Sequence, residues 1–283
     1  MIKSKFLLVQ GRTLTQTDSF LQRFPDNWES EFPIMHKLGF SGIEWIYDTI
    51  SENSNPIMST SGINKMKLIS KKYQIKLENI VFDWFLKYPL ITNHNDHIVE
   101  KLIFLIKQSK KAGFNRIIFP LLEDNSINST SKFRLFKKIF QEQISESLIK
   151  NNIEMHFETD LNSQLELNLL ESLNNKKLKI CFDMGNSASY GYDPKNHITK
   201  ISNYLGSVHV KDRKLRDRSF PLGKGDVNFH DVFHSLDLLN FNGPISFQVY
   251  RNKTSDNLFI LKNSLNFIND LISDLNNGQK KTD

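Results

Sequence analysis

Four side chains that can bind a divalent metal each stand at the end of a different short, β-rich run in the second half of the chain. They are Glu158, Asp183, His209 and Gln248. Taken singly, each has a structural explanation, because an acidic residue after a strand is more often a helix N-cap and a histidine can be a buried hydrogen-bonding group. Four such groups at the ends of four successive runs favour a shared site instead. Their oxygen-rich balance suits Mn²⁺, Mg²⁺, Co²⁺ or Zn²⁺ and is unlike a cysteine-based structural zinc site.

Other polar and aromatic groups stand at the ends of the remaining runs. Glu44 or Asp48 follows the second run, and Glu123 and Asp124 follow the fourth. Aromatic rings near such ends can stack against a sugar. We therefore expect substrate contacts from a set of residues at or near these ends: Asp83, Trp84, Trp45, Glu123 and Asn186.

A strongly basic segment, Lys211-Asp-Arg-Lys-Leu-Arg-Asp-Arg218, follows the seventh run. Lys211 and Arg213 stand nearest the expected site and could bind a phosphate or carboxylate group of a substrate. The two later arginines are better explained as solvated loop residues. The nearby Gly223-Lys-Gly-Asp226 lacks the spacing of a phosphate-binding P-loop, so we predict that it turns the chain into the next helix.

The pattern of the chain predicts the elements that would bring these residues together. Eight short β-rich runs alternate with eight longer amphipathic runs, which indicates a parallel α/β sheet, and their number favours a single (β/α)8 TIM barrel. The predicted strands are Phe6–Gln10, Gly42–Ile46, Lys76–Phe82, Arg116–Phe119, Ile153–Glu158, Leu178–Phe182, Ser207–Val210 and Ile245–Val249. The predicted helices are Trp28–Leu38, Gly62–Tyr73, Asp96–Ala112, Ser131–Lys150, Gln164–Leu173, Pro194–Ile201, Phe229–Leu239 and Asp256–Leu275. Active sites of such barrels lie where the strands end, so the metal-capable groups should converge there.

Three predicted helices are followed by the same local pattern, a Gly or Asn and then a Phe. The pairs are Gly39-Phe40, Gly113-Phe114 and Asn240-Phe241. Gly or Asn supplies the left-handed residue that ends a helix, and the following Phe can pack back on the last turn. The repetition supports a series of strand–helix units.

The composition is that of a globular protein, with 39% hydrophobic and 24% charged residues among 283. We predict one domain, with residues 1–277 forming the barrel and 278–283 a frayed tail. The single cysteine, Cys181, excludes an intrachain disulfide and suits a reducing compartment. Apolar runs are too short for a signal peptide or a membrane span, so we expect a cytoplasmic protein without a membrane partner. The net charge of +6 permits an acidic partner such as a phosphorylated sugar.

Several motifs resemble the xylose isomerase-like TIM-barrel family, in particular its sugar-phosphate isomerases and epimerases. The resemblance runs from about Gln10 to Arg251, and its most specific parts are Asp183-Met-Gly-Asn186 and Val208-His-Val-Lys-Asp-Arg213. Further matches are Gln10-Gly-Arg-Thr-Leu14, Arg23-Phe-Pro-Asp-Asn-Trp-Glu-Ser-Glu-Phe32, Gly42-Ile-Glu-Trp-Ile-Tyr-Asp48, Asp83-Trp-Phe85, Phe119-Pro-Leu-Leu-Glu-Asp-Asn-Ser126, Phe157-Glu-Thr-Asp-Leu161 and Pro221-Leu-Gly-Lys-Gly-Asp-Val-Asn-Phe229. These motifs are typical of the superfamily and do not specify one substrate.

The resemblance implies a metal held by Glu158, Asp183, His209 and, where the family has a second glutamate, Gln248. Because an amide takes up no proton near neutral pH, Gln248 could bind metal through its oxygen but could not be the second base of a two-glutamate epimerase. Glu158 is the best candidate for the base that removes a proton beside a ketose carbonyl and forms an enediolate. Candidates for the second proton carrier are Glu44, His156, Asp124 and water.

These residues predict a metal-dependent isomerase or epimerase of a small sugar or sugar phosphate, with no nucleic-acid partner. A homo-oligomer agrees with the dimers and tetramers common among such proteins. Gln248 is also consistent with a barrel that has lost catalysis and only binds a sugar-like ligand. A metal-dependent abasic-site endonuclease, which shares the superfamily, ranks lower because it needs more His and Glu ligands and a basic DNA-facing surface.

Overall fold

A closed barrel of parallel strands forms the centre of the computed structural model, which describes residues 5–13, 23–92, 96–251 and 256–279. In chain order, the strands are β1 (Phe6–Val9), β2 (Gly42–Ile46), β3 (Lys76–Val81), β4 (Arg116–Leu121), β5 (Glu154–Thr159), β6 (Leu178–Asp183), β7 (Leu205–Val210), β8 (Asp212–Arg213), β9 (Ser219–Phe220) and β10 (Ile245–Phe247). The barrel order is β1-β10-β7-β6-β5-β4-β3-β2, and the short β8 and β9 pair separately as an antiparallel hairpin. The barrel closes between β1 and β10, where Phe6 lies opposite Ile245.

Helices surround the barrel, so the predicted (β/α)8 fold is confirmed. They are α1 (Glu31–Leu38), α2 (Thr60–Tyr73), α3 (Trp84–Lys87), α4 (Asp96–Ala112), α5 (Thr130–Ile139), α6 (Ser145–Asn151), α7 (Ser163–Leu173), α8 (Met184–Ser189), α9 (Pro194–Ile201), α10 (Phe229–Leu238) and α11 (Asn257–Gln279). A π-helical turn, Phe140–Ile144, joins α5 to α6, which together occupy one predicted helix. The short α3, α8, β8 and β9 were not predicted, because elements of so few residues carry no readable periodicity.

The three predicted helix ends are confirmed. Gly39, Gly113 and Asn240 have positive φ angles of 82°, 101° and 49°. The N–H of each following Phe donates to a carbonyl five residues earlier at 2.9–3.1 Å, and the three Phe side chains are buried. The same local motif therefore ends each of these helices and directs the chain into the next strand.

Alternation along the strands separates an outer core from the barrel interior. On β5, the ring of Phe157 faces the helices and lies 5.7 Å from that of Phe136. The neighbouring His156 points inward, where its Nδ1 lies 2.8 Å from Oγ of Ser207 on β7. Because side chains alternate with a period of two, Glu158 also points inward, towards the mouth of the barrel.

The carboxyl-terminal helix α11 continues to Gln279, two residues into the tail that we predicted at 278–283. Residues 280–283 lie outside the described residues. Within the described ranges, none of the helices combines the length and the apolar character that crossing a bilayer requires.

Trp45 belongs to the outer core. Its indole is fully buried, with ring centroids 5.2 Å from Phe24 and 5.1 Å from Trp28. Its Nε1 donates to Oδ1 of Asn55 at 3.0 Å. The prediction that Trp45 contacts a sugar is therefore wrong, because this position of β2 faces the helices rather than the barrel interior.

We expect Trp45→Phe to lower the free energy of unfolding by roughly 1–3 kcal/mol, because it removes buried volume and the donor to Asn55. Urea denaturation followed by circular dichroism measures the change. Leu165→Ala, at a side chain that is 44% exposed, is the control and should shift the midpoint far less. An unchanged midpoint in Trp45→Phe would contradict this structural role.

Candidate active site and metal centre

Glu158, Asp183 and His209 converge at the carboxyl ends of β5, β6 and β7. Nδ1 of His209 lies 3.7 Å from Oε2 of Glu158 and 3.8 Å from Oδ2 of Asp183. One ligand atom from each residue lies within 4.8 Å of the other two, and all three residues are buried. The structure therefore brings together three of the four ligands expected from sequence, in an arrangement that could hold a metal ion.

The nitrogen and oxygen atoms that face one another in this cluster fit a divalent cation. Nδ1 of His209 is buried and has no partner of hydrogen-bonding geometry among the described residues. The facing atoms are carboxylate oxygens, and mixed nitrogen and oxygen donors suit the divalent metals expected from sequence. Burial lowers the pKa of His209, but its neighbours Cys181, Glu44 and Asp183 raise it well above the ordinary value. The surroundings therefore favour positive charge at this position.

Asp183 uses its two carboxylate oxygens differently. Oδ1 accepts a hydrogen bond from the N–H of Asn186 at 2.7 Å, so Asp183 is the N-cap of α8. Oδ2 faces the cluster and lies 3.4 Å from Nζ of Lys211. Burial would raise the pKa of Asp183, but Lys211, His209 and the N–H of Asn186 lower it. The residue can thus cap a helix and remain an ionised ligand.

Asn186 positions Glu158. Its Nδ2 donates to Oε1 of Glu158 at 2.8 Å, and its Oδ1 accepts from Nη1 of Arg213 at 2.8 Å. Burial raises the pKa of Glu158 to about 7; the charge of His209 opposes this and that of Asp183 reinforces it. A carboxyl group with a pKa near neutrality suits general base catalysis. The contrast between Glu158 and the ionised Asp183 is typical of two carboxylates with separate roles.

Gln248, Lys211 and Glu158 line a cavity of about 680 Å³. Oε1 of Gln248 accepts from Nζ of Lys211 at 3.2 Å. Because the same ammonium group also contacts Asp183, it links the amide oxygen of Gln248 to the cluster. The volume lies in the usual range for small-molecule sites. Of the expected substrate-binding residues, the cavity is lined by Asp83, Glu123, Asn186, Lys211 and Arg213, and Asp48 and Asp124 also line it.

Glu44 lies beneath His209 rather than in the cavity. Its Oε1 is 2.9 Å from Nε2 of His209, in an ion pair that lacks the alignment of a hydrogen bond. Oε2 accepts from Nδ2 of Asn79 at 3.1 Å and from Oγ of Ser246 at 2.7 Å. Glu44 is fully buried, so its prediction as a proton carrier is wrong. It can instead orient His209 as an outer carboxylate beside a metal-binding imidazole.

His156 is too deep to reach a substrate. It is fully buried, two residues before Glu158 on β5, which places it about 7 Å further down the barrel. Its Nε2 lies 3.3 Å from Oε2 of Glu154, and burial lowers its pKa. The prediction of a catalytic role for His156 is therefore wrong.

Trp84, which we predicted to contact the substrate, lies in the core instead. It is 5% exposed, packs against Phe85 and Tyr88, and is not among the residues that line the cavity. The aromatic residues that line it are Tyr190 and Tyr250, which the sequence interpretation missed. The interpretation also missed three lining arginines, Arg12, Arg23 and Arg251. Arg12 could have been found, because it follows β1 as the other candidates follow their strands.

The loop that carries Lys211 and Arg213 is held by the buried carboxylate of Asp212. Its Oδ2 accepts from the backbone N–H groups of Gly223, Lys224 and Gly225 at 2.8–3.1 Å, and its Oδ1 accepts from that of Val227 at 3.2 Å. The glycine-rich segment therefore binds a carboxylate of the chain itself, and it leads into α10 as predicted. Asp212 fixes the loop and the two cations on either side of it.

We expect Asp212→Asn to speed amide hydrogen exchange at residues 223–227 by at least about tenfold, because the amide offers fewer and weaker acceptors to these N–H groups. Exchange followed by mass spectrometry measures this. Asp217→Asn, the same change at an exposed position of the same loop, is the control and should leave these rates unchanged. Equal rates in Asp212→Asn and wild type would contradict the role of Asp212.

Comparisons with solved structures agree with this architecture. L-ribulose 3-epimerase superimposes with a TM-score of 0.77 over 99% of this chain and 98% of that chain, at 13% identity. 3-Keto-D-glucoside 4-epimerase YcjR from E. coli gives 0.72 over 94% and 99%, at 14% identity. A xylose isomerase-like TIM barrel protein from Mycobacterium smegmatis, in complex with magnesium, gives 0.66 over 87% and 88%, at 13% identity. At these identities the likeness establishes the fold alone.

Two sequence comparisons cover very different shares of this chain. The uncharacterized protein MJ1311 of Methanocaldococcus jannaschii is 28% identical over 86 residues, which is 29% of this chain and 29% of that protein. The family model of the xylose isomerase-like TIM barrel matches residues 32–271, which is most of the chain. This protein therefore belongs to the xylose isomerase-like TIM barrel family.

Proposed function

We propose that this protein is a metal-dependent isomerase or epimerase that acts on a small ketose or ketose phosphate. The observation that carries the proposal is the buried cluster of Glu158, Asp183 and His209, of which Glu158 lines a cavity of sugar-binding size. Glu158 combines a fixed orientation with a pKa near 7, which suits removal of a proton beside a carbonyl group.

Metal binding is assigned to Glu158, Asp183 and His209, with the amide oxygen of Gln248 as a further ligand. A divalent ion held there would act as a Lewis acid towards the substrate carbonyl and stabilise the charge of an enediolate. The chain supplies the ligand orientation, because Glu44 holds His209 from below and Asn186 holds Glu158 from the side. Both contacts fix side chains whose functional atoms would otherwise rotate.

Proton transfer is assigned first to Glu158, whose Oε2 is turned towards the cluster. Gln248 cannot take up the second proton, because it is an amide. Of the carriers proposed from sequence, Asp124 and water remain, since Asp124 lines the cavity and both Glu44 and His156 lie below it. Return of the proton to a neighbouring carbon gives isomerisation, and return to the opposite face gives epimerisation.

The family and the structural neighbours support this class of reaction. Two of the neighbours are sugar epimerases by name, and a third is a complex with magnesium. An abasic-site endonuclease is less well supported, because it needs more metal ligands. Within the described part of the chain, Glu158, Asp183 and His209 form the one group of three or more His, Cys, Asp and Glu residues that could hold a metal. A barrel that binds a sugar without catalysis remains the second candidate, because Gln248 stands where a second base is needed.

We expect metal-stripped wild type to bind Mn²⁺ at one site in calorimetry, and His209→Ala and Asp183→Asn to abolish this binding. Glu44→Gln should weaken it by about 10–100-fold, because the carboxylate that orients His209 is lost. His230→Ala, at an exposed histidine of the outer helix α10, is the matched control and should bind like wild type. Equal binding by His209→Ala and wild type, or none by wild type, would remove the metal-based mechanism.

We expect the wild-type protein with Mn²⁺ to exchange a carbon-bound proton of a ketose or ketose phosphate for deuterium in D₂O, as followed by NMR. Glu158→Gln should reduce the exchange rate by about 10²–10⁴-fold, because the amide cannot accept the proton. Gln248→Glu separates the two candidate functions. Loss of exchange in this variant supports a working site that uses the amide, whereas exchange that appears only in the variant supports the binding barrel.

A further inference from the structure

A buried histidine and a buried glutamate form a pair between two outer helices of the barrel. Nε2 of His197 on α9 lies 2.7 Å from Oε2 of Glu166 on α7, and these residues are only 5% and 4% exposed. Burying such polar groups costs free energy unless they bind one another closely. Neither residue lines the substrate-sized cavity or belongs to the metal cluster, so the mechanism above assigns them no role.

Glu166 also binds the end of β5, beside the candidate base. Its Oε1 accepts a hydrogen bond from Oγ1 of Thr159 at 2.8 Å, and Oγ1 accepts one from the N–H of Leu161 at 3.1 Å. Thr159 directly follows Glu158, and side chains alternate along a strand, so the two point to opposite sides of the barrel wall. The carboxylate therefore holds, from outside, the strand end that carries Glu158 on its inner side.

His197 contacts the neighbour of a second metal-capable residue. Its ring centroid lies 5.3 Å from that of Phe182, at an interplanar angle of 67°. Phe182 is buried and directly precedes Asp183 at the end of β6. The pair thus contacts the residue next to Glu158 through a hydrogen bond, and the residue next to Asp183 through ring packing.

A tyrosine completes the contacts around this pair. The ring of Tyr192 lies 5.7 Å from that of His197, and its hydroxyl group donates to the carbonyl oxygen of Asp160 at 3.1 Å. Asp160 directly follows Thr159. Two adjacent residues after Glu158 are therefore held from the outer side, one by α7 and one by the segment that leads into α9.

The polar character of the pair favours a positioning role over a purely stabilising one. Well-packed apolar side chains of similar volume often stabilise a protein as much as a buried ion pair, or more. Apolar residues fill other buried positions of the same two helices, among them Leu169, Leu170 and Ile198. Hydrogen bonds, unlike apolar packing, also fix the direction of the groups that they join. A metal site needs such direction, because outer contacts orient its ligands.

We propose that Glu166, held in place by His197, is a positioning residue of the metal site. It fixes the end of β5 through the hydroxyl group of Thr159, so that Glu158 keeps its direction towards the cluster. This inference rests on the proposed function for the role of Glu158 as ligand and base. The hydrogen bond between Thr159 and Glu166 can be removed without changing any residue of the metal cluster.

The test is a calorimetric Mn²⁺ titration of variants at Thr159. We expect Thr159→Val, which keeps the volume and loses the hydroxyl group, to bind Mn²⁺ about tenfold more weakly than wild type. Thr159→Ser keeps the hydroxyl group and loses the methyl group, so it should bind Mn²⁺ with nearly the wild-type affinity. Thr199→Val, the same change at an exposed residue of α9 whose hydroxyl group bonds within its own helix, is the control and should bind like wild type.

A double-mutant cycle tests whether Thr159 and Glu166 act together. Glu166→Leu should also weaken Mn²⁺ binding by about tenfold. The double variant with Thr159→Val should lose little more than either single variant, because all three lack the same hydrogen bond. Circular dichroism shows whether each variant is folded, and Glu166→Leu takes the place of Thr159→Val in the comparison with wild type if the latter does not fold.

Three results would overturn the inference. The first is wild-type binding by Thr159→Val, because the hydroxyl group then has no part in metal binding. The second is equal weakening in Thr159→Val and Thr159→Ser, because loss of packing is then the cause. The third is additive losses in the double variant, because the two residues then act separately.

Proton exchange separates this inference from the proposed function. With saturating Mn²⁺, Thr159→Val should lower the exchange rate of a ketose proton by about tenfold and leave its KM unchanged, because Glu158 shifts while the rest of the cavity stays in place. If wild type exchanges no ketose proton but Thr159→Val weakens Mn²⁺ binding, the positioning role stands and the isomerase proposal fails. If wild type exchanges the proton and Thr159→Val equals it in both measurements, the positioning role fails and the isomerase proposal stands. If wild type binds no Mn²⁺, both fail.

Discussion

His209 is buried with both ring nitrogens facing carboxylates, and the remaining site residues are arranged around it. Nε2 lies against Glu44 below, and Nδ1 faces Glu158 and Asp183. A fully buried imidazole surrounded by three carboxylates is stable only if positive charge balances it, either as a proton on the ring or as a bound cation. This requirement explains why Glu44 is buried inside the barrel, where an acidic residue is otherwise unfavourable.

The two carboxylates above His209 differ because their hydrogen-bond partners differ. Asp183 receives the N–H at the start of α8 and lies near Lys211, so its charged form is stabilised. Among the described residues, Glu158 receives the neutral amide of Asn186 on Oε1, and burial raises its pKa to about 7. One short helix provides both effects, since α8 contributes the capping N–H group and Asn186. A separation of this kind lets one group stay ionised while the other transfers a proton.

Cations in the cavity fall into two groups with different surroundings. Lys211 and Arg213 belong to a loop that is held by Asp212 and contact the residues of the metal cluster. Arg12 and Arg251 belong to the segments that close the barrel, and they adjoin the partly protonated Glu31. The first group balances charge beside the metal cluster, and the charge of Arg12 in the second group is offset by the carboxylates of Asp83 and Glu31. The net charge of the whole chain does not reveal this division, because it depends on which carboxylates lie beside each cation.

Much of the fold and part of the site were determined by the sequence alone. Strand and helix order, the ends at Gly39, Gly113 and Asn240, and the inward direction of Glu158, Asp183 and His209 follow from periodicity and local backbone preference, which act over a few residues. Tertiary structure alone decided that Glu44 and His156 lie below the cavity, that Trp45 and Trp84 lie in the core, and that Arg12 meets Arg251. Strands in a closed barrel are tilted and staggered against one another, so a position within one strand does not give its depth. Contacts between the first and last strands form only when the barrel closes, and no local pattern encodes them.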